Sequence, residues 1–350
     1  MESYDVVDWG KPLQKAIRDT PKPSGTEVLV RVKFCGVCHS DVHIRDGYFD
    51  LGSGKRLNMY DRGMKLPVTL GHEPYGTVVS AGPDAGDVPI GQDRLVYPWT
   101  GCGGCKRCAE GMDNWCMQPR YLGIQRSGAY ADHLLVPHPK YLVDASGIDP
   151  EFAPILACSG LTTYSAVRKL MPCRPEDWIV ILGAGGLGLM AIAMLRALGH
   201  RNIAVADIDK GKWDAATQMG ASLLIDPTEA GAVARLQGLD GGLWGAVDLV
   251  GASQTASLAF SSLRKGGRYI CVGLFGGEMQ IPLVTLVQRA ITFQGSYVGS
   301  PAELGEVVEL AKSGKLKSIP VATCRLDEVS SVIDRLKAGT VVGRVVARIG

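Results

Sequence analysis

Residues 101–116, GCGGCKRCAEGMDNWC, carry four cysteines, Cys102, Cys105, Cys108 and Cys116, spaced Cys-x2-Cys-x2-Cys-x7-Cys. A glycine-rich loop can turn tightly enough to aim four thiolates at one centre. Four thiolates around a tetrahedral ion make a closed, structural zinc site. A disulfide knot and a reactive redox pair are the plainer alternatives, and an iron–sulfur cluster is the alternative metal. The last gap of seven residues fits neither common ferredoxin spacing. A closed site leaves no corner for substrate, so any catalysis has to be sought elsewhere in the chain.

Three other residues could supply it: Cys38 in GVCHSDVH, His72 in LGHEPYG and Cys158 in LACSG. Singly, each reads as core or surface. Jointly, two thiolates and an imidazole would give zinc three ligands and one free corner, the arrangement that admits water or substrate. Asp41 is a candidate acceptor for the N–H of His72, and Glu73 is either an outer or transient ligand or a buried helper carboxylate.

A third pattern, in WIVILGAGGLGLMA, sets Gly183, Gly185 and Gly188 as G-x-G-x-x-G between an apolar strand and an apolar helix, with Gly186 and Leu187 inside the turn. Among 45 glycines such a match can arise by chance. Asp207 strengthens it, because it ends the next apolar run nineteen residues after Gly188, where a carboxylate accepting from the adenosine ribose hydroxyls should fall. The glycines would let the backbone approach a pyrophosphate at the helix N-terminus. A carboxylate at Asp207 repels a 2′-phosphate and favours NAD over NADP, and Lys212 downstream, also a cofactor-side candidate, is too ambiguous to overturn that preference. Val272, at the end of a later apolar run, is a further cofactor-side candidate.

These residues need elements to hold them. At 350 residues the chain is long enough for two domains. With 46% hydrophobic and 21% charged residues it reads as globular, and a net charge of +2 gives no reason to expect nucleic acid or an anionic membrane. The N-terminal MESYDVVDWGK lacks the basic start and apolar run of a signal peptide, so a reducing cytoplasm is expected and ten cysteines there favour metal over disulfides. Trp178 to Leu195 is free of charge and long enough to consider as a membrane span, but its glycines read better as buried strand, tight turn and buried helix. The first 150 residues alternate short apolar stretches (27–34, 76–82, 93–99, 130–137) with Gly and Pro breaks, as β-rich domains do. From about residue 160, apolar strands alternate with helical segments, which implies βαβ units and a parallel sheet. Cys35, Cys173, Cys271 and Cys324 read as buried small residues.

Taken in order, GVCHSDVH, LGHE, GCGGCKRC with Cys116, LACSG and GAGGLG resemble the zinc-containing medium-chain alcohol dehydrogenases over essentially the whole chain. KLPVTLGHE, PRYLGI, GAYADHLLVPH, LACSGLTTYSAVRK and VGLFG are most similar to the tetrameric enzymes of bacteria and thermophilic archaea. The resemblance implies an α/β protein with a GroES-like β-rich catalytic domain (1–157, with a zinc lobe at about 97–120), a Rossmann NAD-binding domain with a doubly wound parallel sheet (158–296), and a return to the catalytic domain (297–350). It implies two zinc ions per chain, with Cys38, His72 and Cys158 on the catalytic ion and the cysteine loop on the structural one. Ser40 matches the hydroxyl that takes the alcohol proton, and His43 the histidine that passes it on. His39 and Arg344 match positions near the cofactor phosphates. Trp99, Tyr121, Leu274 and Phe49, with Ile44 nearby, match the substrate pocket, whose aromatic walls suit apolar primary alcohols better than polyols. Pro74 and Tyr75 depart from the small residues usual after LGHE.

The expected activity is reversible NAD-dependent oxidation of a primary aromatic or medium-chain alcohol by a homotetramer, or a homodimer, with no nucleic-acid or membrane partner. A secondary-alcohol or polyol dehydrogenase is the alternative, and a non-catalytic zinc- and nucleotide-binding protein a third.

Overall fold

The computed structural model describes all 350 residues. The hub of the first domain is the long strand Val28–Val37, which pairs antiparallel with Pro74–Ala81, with His133–Val136 and with Arg344–Arg348. Outside Arg344–Arg348 lies Val321–Arg325, in parallel, so residues from both ends of the chain complete one seven-stranded sheet. The LGHE segment leads directly into Pro74–Ala81, where Pro74 pairs with Cys35 and Tyr75 packs inward, buried, opposite Leu95.

The second domain is a six-stranded, all-parallel sheet in the order Leu223–Ile225, Ile203–Ala206, Ile179–Leu182, Leu243–Asp248, Leu263–Cys271, Thr292–Gly295. Strand order reverses beside Ile179–Leu182, which is the place where doubly wound sheets hold their ligands. Ile179–Leu182 and Ile203–Ala206 are buried at every residue, as expected of strands covered by helices on both faces. Alternate side chains serve two cores. Ile179, Ile181, Val205 and Val247 join the large core that continues into the first domain through Cys38, Val42 and Cys158. Val180, Leu182, Ala204 and Ala246 form a separate core on the opposite face.

The charge-free stretch from Trp178 divides as expected into the strand Ile179–Leu182 and the helix Gly186–Ala197, and no helix is long and apolar enough to cross a membrane. Of the four cysteines read as core, Cys35 is fully buried, but Cys173, Cys271 and Cys324 are only half-buried. Alternation alone does not distinguish the rim of a core from its centre.

Candidate active site

Cys38 sits where the strand Val28–Val37 ends and the helix His39–Asp46 begins, with extended backbone at the helix cap. Its N–H donates to Asp41 Oδ2 at 3.0 Å. His72 lies in the loop before Pro74–Ala81. Cys158 lies in a single π-helical turn, Leu156–Gly160, an irregularity that recurs at functional sites because it re-aims one side chain. Remote in sequence, these residues converge: the donor atoms of Cys38, His72, Glu73 and Cys158 all lie within 4.8 Å of one another, and all four residues are buried.

Their chemistry fits a metal ion. Cys38 Sγ and Cys158 Sγ are 3.8 Å apart, far beyond a disulfide. That spacing is close to the ~3.8 Å edge of a tetrahedron with zinc–sulfur distances of ~2.3 Å. His72 Nδ1 is 3.4 Å from Asp41 Oδ1, and neither ring nitrogen has a hydrogen-bond partner although the ring is fully buried. Asp41 is itself held by Tyr130, whose hydroxyl donates to Oδ2 at 2.6 Å. Contact with Cys158 holds the Cys38 thiol well below its ordinary range, and the same contact together with burial pushes Cys158 up. Burial pushes Glu73 up to about 7, against the charge of Arg344. Glu73 Oε1 accepts from the Arg344 guanidinium and Oε2 has no partner, while a Glu73 carboxylate oxygen lies within 4.8 Å of the Cys38, His72 and Cys158 donor atoms. Gly36 makes room for it, since a Cβ there would stand 1.9 Å from Glu73 Oε2.

The second cluster is as compact. The sulfurs of Cys102, Cys105, Cys108 and Cys116 lie within 4.8 Å of one another, with Cys105 3.5 Å from Cys108 and 3.7 Å from Cys116. These spacings suit the edges of a tetrahedron around a single ion, whereas an iron–sulfur cluster would spread its thiolates over several irons. Gly101 is obligatory, because a Cβ would fall 2.4 Å from Cys108 Sγ. The lobe is tied to its domain by the buried Asp113, which accepts from Tyr141 at 2.7 Å and Lys140 at 3.0 Å.

A cavity of about 900 Å³ runs between the domains, with Cys38 and Cys158 in its wall. Ser40 and His43, one turn apart on the helix His39–Asp46, face into it. Burial, and after it the charge of His39, lowers His43 to about 4, so the ring is a neutral proton acceptor at neutral pH. Trp99, Phe49, Ile44 and Leu274 line the cavity as expected. Tyr121 does not. It stands one layer back against Trp99, its hydroxyl donating to the Asn114 carbonyl at 2.9 Å, and Tyr297 and Ile124 take the wall instead.

On the cofactor side, Gly183 takes φ +94°, and a Cβ on Gly188 would lie 2.0 Å from the Gly183 carbonyl. The helix Gly186–Ala197 starts at Gly185 with no side-chain cap, which leaves its first N–H groups free for a phosphate. Leu187 and Val272 line the cavity, as does His39, stacked on Phe275 at 5.1 Å. Asp207 ends its strand as expected, but its oxygens already accept the N–H groups of Ala184 (2.6 Å) and Asp209 (2.8 Å), so ribose hydroxyls would have to use its remaining lone pairs. Lys212 pairs with Asp209 at 3.3 Å. Arg344 is neither exposed nor free: it is buried, bound to Glu73, and passes so close to Gly186 that a Cβ there would meet its Cδ at 2.4 Å.

The structure adds residues that the sequence did not single out. Thr162 and Ser296 line the cavity with buried hydroxyls that lack partners. Thr162 had a readable signal, since it follows Cys158 by four residues on one helical face. Tyr130, Tyr297, Phe275 and Arg62 had none, because only the tertiary fold brings them near.

Residues 24–146 match the alcohol dehydrogenase GroES-like domain, and residues 186–313 the zinc-binding dehydrogenase domain. An NAD-dependent alcohol dehydrogenase of Sulfurisphaera tokodaii is 38% identical over 351 residues, covering 99% of each chain. One of Saccharolobus solfataricus is 37% identical over 350 residues, again covering 99% of each. The alcohol dehydrogenase structure of the hyperthermophilic archaeon Aeropyrum pernix superposes with a TM-score of 0.88 at 30% identity, over 99% of this chain and 100% of that one. Matches on both domains and identity sustained from end to end make this chain a member of the zinc-containing medium-chain alcohol dehydrogenase family.

Proposed function

We propose that the protein catalyses reversible, NAD-dependent oxidation of primary alcohols with aromatic or medium-chain apolar bodies to aldehydes. The observation that carries the reading is the convergence of the buried Cys38, His72 and Cys158 at an interdomain cavity whose wall includes Cys38, Cys158 and, from the glycine turn, Leu187. In this reading those three residues hold a catalytic zinc ion and the four-cysteine lobe holds a structural one, two ions per chain. Bound zinc would supply Lewis acidity toward a substrate oxygen, and bound NAD a hydride acceptor.

The chain's own residues do the rest. Ser40 Oγ accepts the alcohol proton, and neutral His43 takes it onward toward solvent. Asp41, braced by Tyr130, fixes the ring of His72. Trp99, Phe49 and Leu274 exclude water and grip the apolar body of the substrate. Gly183, Gly185 and Gly188 bring the backbone up to the cofactor pyrophosphate, and Asp207 disfavours a 2′-phosphate.

Ten free thiols suit a reducing cytoplasm. A homo-oligomer, at least a dimer, is supported by the open sheet edge Thr292–Gly295 and the adjacent helix Leu283–Gln288, where Leu283, Val284 and Val287 are each at least 70% exposed.

The test is NADH formation by zinc-replete protein given NAD and benzylic, linear, secondary and polyol alcohols, with Cys38→Ser as control. Turnover of benzylic or linear primary alcohols that falls by at least about a thousandfold in the control is expected. Absence of turnover in both directions, with zinc bound, refutes the reading. Preference for a vicinal diol moves the assignment to a polyol dehydrogenase.

A further inference from the structure

One charge in the cavity wall has no partner. Arg62 lines the cavity, half-buried, and its guanidinium makes no ion pair and no hydrogen bond within the chain. It lies over the Phe49 ring, whose centroid is 5.6 Å away. The other charged groups of the wall are engaged. Lys169 Nζ donates to the Ser165 carbonyl (3.0 Å) and hydroxyl (2.7 Å), and Asp50 Oδ1 accepts the Gly52 N–H at 2.7 Å. His39 and His43 lie against Phe275 and Phe49.

Arg62 is also held in place rather than trailing on a loose loop. It closes a turn on Met59 (N–H to carbonyl, 3.1 Å) whose side chains Met59 and Met64 are buried to within 1%. The Arg62 carbonyl accepts from Gln125 Nε2 at 3.3 Å, and Gln125 Oε1 in turn accepts the Tyr121 N–H at 3.1 Å. The backbone that carries the guanidinium is therefore fixed, and the guanidinium carbon lies 5.6 Å from the Phe49 ring centroid. Phe49 stands between it and His43, 5.2 Å from the histidine ring, so Arg62 lies two ring spacings from the proton relay.

A half-desolvated cation without a counterion is costly unless a ligand supplies one, and the guanidinium fork matches a carboxylate through two parallel hydrogen bonds. We propose that Arg62 binds a carboxylate at the far end of the substrate, so that the preferred alcohols and aldehydes are ω-carboxylates whose apolar middle crosses Phe49. This rests on the dehydrogenase reading above and narrows its substrate class.

The test compares kcat/KM for ω-hydroxy carboxylates of increasing chain length with that for n-alkanols of the same carbon number, and 4-(hydroxymethyl)benzoate with benzyl alcohol. Wild type, Arg62→Leu and Arg62→Lys are measured in parallel. At one chain length or with the aryl acid, the carboxylate should exceed its neutral partner by about tenfold or more in wild type. That ratio should collapse in Arg62→Leu, survive in part in Arg62→Lys, and shrink as salt is raised. No advantage at any length, or an advantage that persists in Arg62→Leu, overturns the proposal while turnover of neutral alcohols leaves the dehydrogenase reading standing. If no alcohol is oxidised at all, the readout becomes quenching of the cavity tryptophans Trp99 and Trp115 by 4-(hydroxymethyl)benzoate. Saturable quenching that weakens at least tenfold in Arg62→Leu supports the carboxylate site, and quenching indifferent to Arg62 overturns it.

Discussion

Tyr130 does not line the cavity, yet its hydroxyl is the second hydrogen bond on Asp41 Oδ2, after the Cys38 N–H. Losing it frees the carboxylate that orients His72, and such outer partners are typically worth 10- to 100-fold in metal affinity. Tyr130→Phe should therefore lose zinc to a chelator at roughly ten times lower chelator concentration than wild type, at unchanged far-UV circular dichroism. His43 carries a pH prediction. The unfolded chain takes up a proton on this residue near 6.5, but the folded protein does so only near 4, through burial first and the charge of His39 second. Protonation thus favours unfolding, and the stability contributed by the neutral ring is present above pH 6.5 and lost as pH falls toward 4. The Tm difference between wild type and His43→Gln should be flat above pH 6.5 and should shift against wild type below it. At this scale the converging thiols and imidazole were legible because such side chains are rare and their motifs distinctive. Tyr121 was misplaced because a buried aromatic reads the same in sequence whether it touches substrate or stands one layer behind.

The glycine turn shows how elements, not isolated residues, were readable. The apolar run, the turn and the helix appear within a few residues of where expected, because a strand buried on both faces and a helix entered at close range leave few alternatives. What the pattern could not show was Arg344 crossing beneath Gly186 from the far end of the chain. The third glycine is the most demanding. In Gly188→Ala the methyl would have to share space with the Gly183 carbonyl 2.0 Å away, and backbone cannot rotate aside as a side chain can. A loss of about 1–3 kcal/mol in urea unfolding, with NAD affinity reduced in the same variant, is the expected outcome. The cysteine lobe makes a separate prediction. With an ion bound, its four sulfurs would be the main cross-link of a loop with little regular structure, only the short helices Lys106–Ala109 and Asp113–Trp115. Cys105→Ser should lower Tm and halve zinc content, from two ions per chain to one by atomic absorption, because the two clusters share no residue.

For the whole molecule, the two-domain plan could be read from the change in texture near residue 160, since period-two and βαβ patterns bury side chains differently. Closure of the first sheet by the last strand came from family resemblance alone, because nothing in VVGRVVARI says which strand it will meet. The open edge Thr292–Gly295 and the bare apolar helix beside it belong to this scale as well. Light scattering on the purified chain should give a mass at least twice the monomer's 37.2 kDa, and Val287→Glu should shift it toward the monomer. Finally, Arg344–Arg348 pairs with a strand that leaves the ribosome roughly three hundred residues earlier. Until those last residues are made, Val28–Val37 lacks a neighbour and Glu73 lacks its only cation. The parallel-sheet domain, by contrast, has every strand in hand by Gly295. A nascent chain would then hold a folded nucleotide domain beside a catalytic pocket still open on one side, and the Glu73–Arg344 pair that closes it would be among the last contacts made.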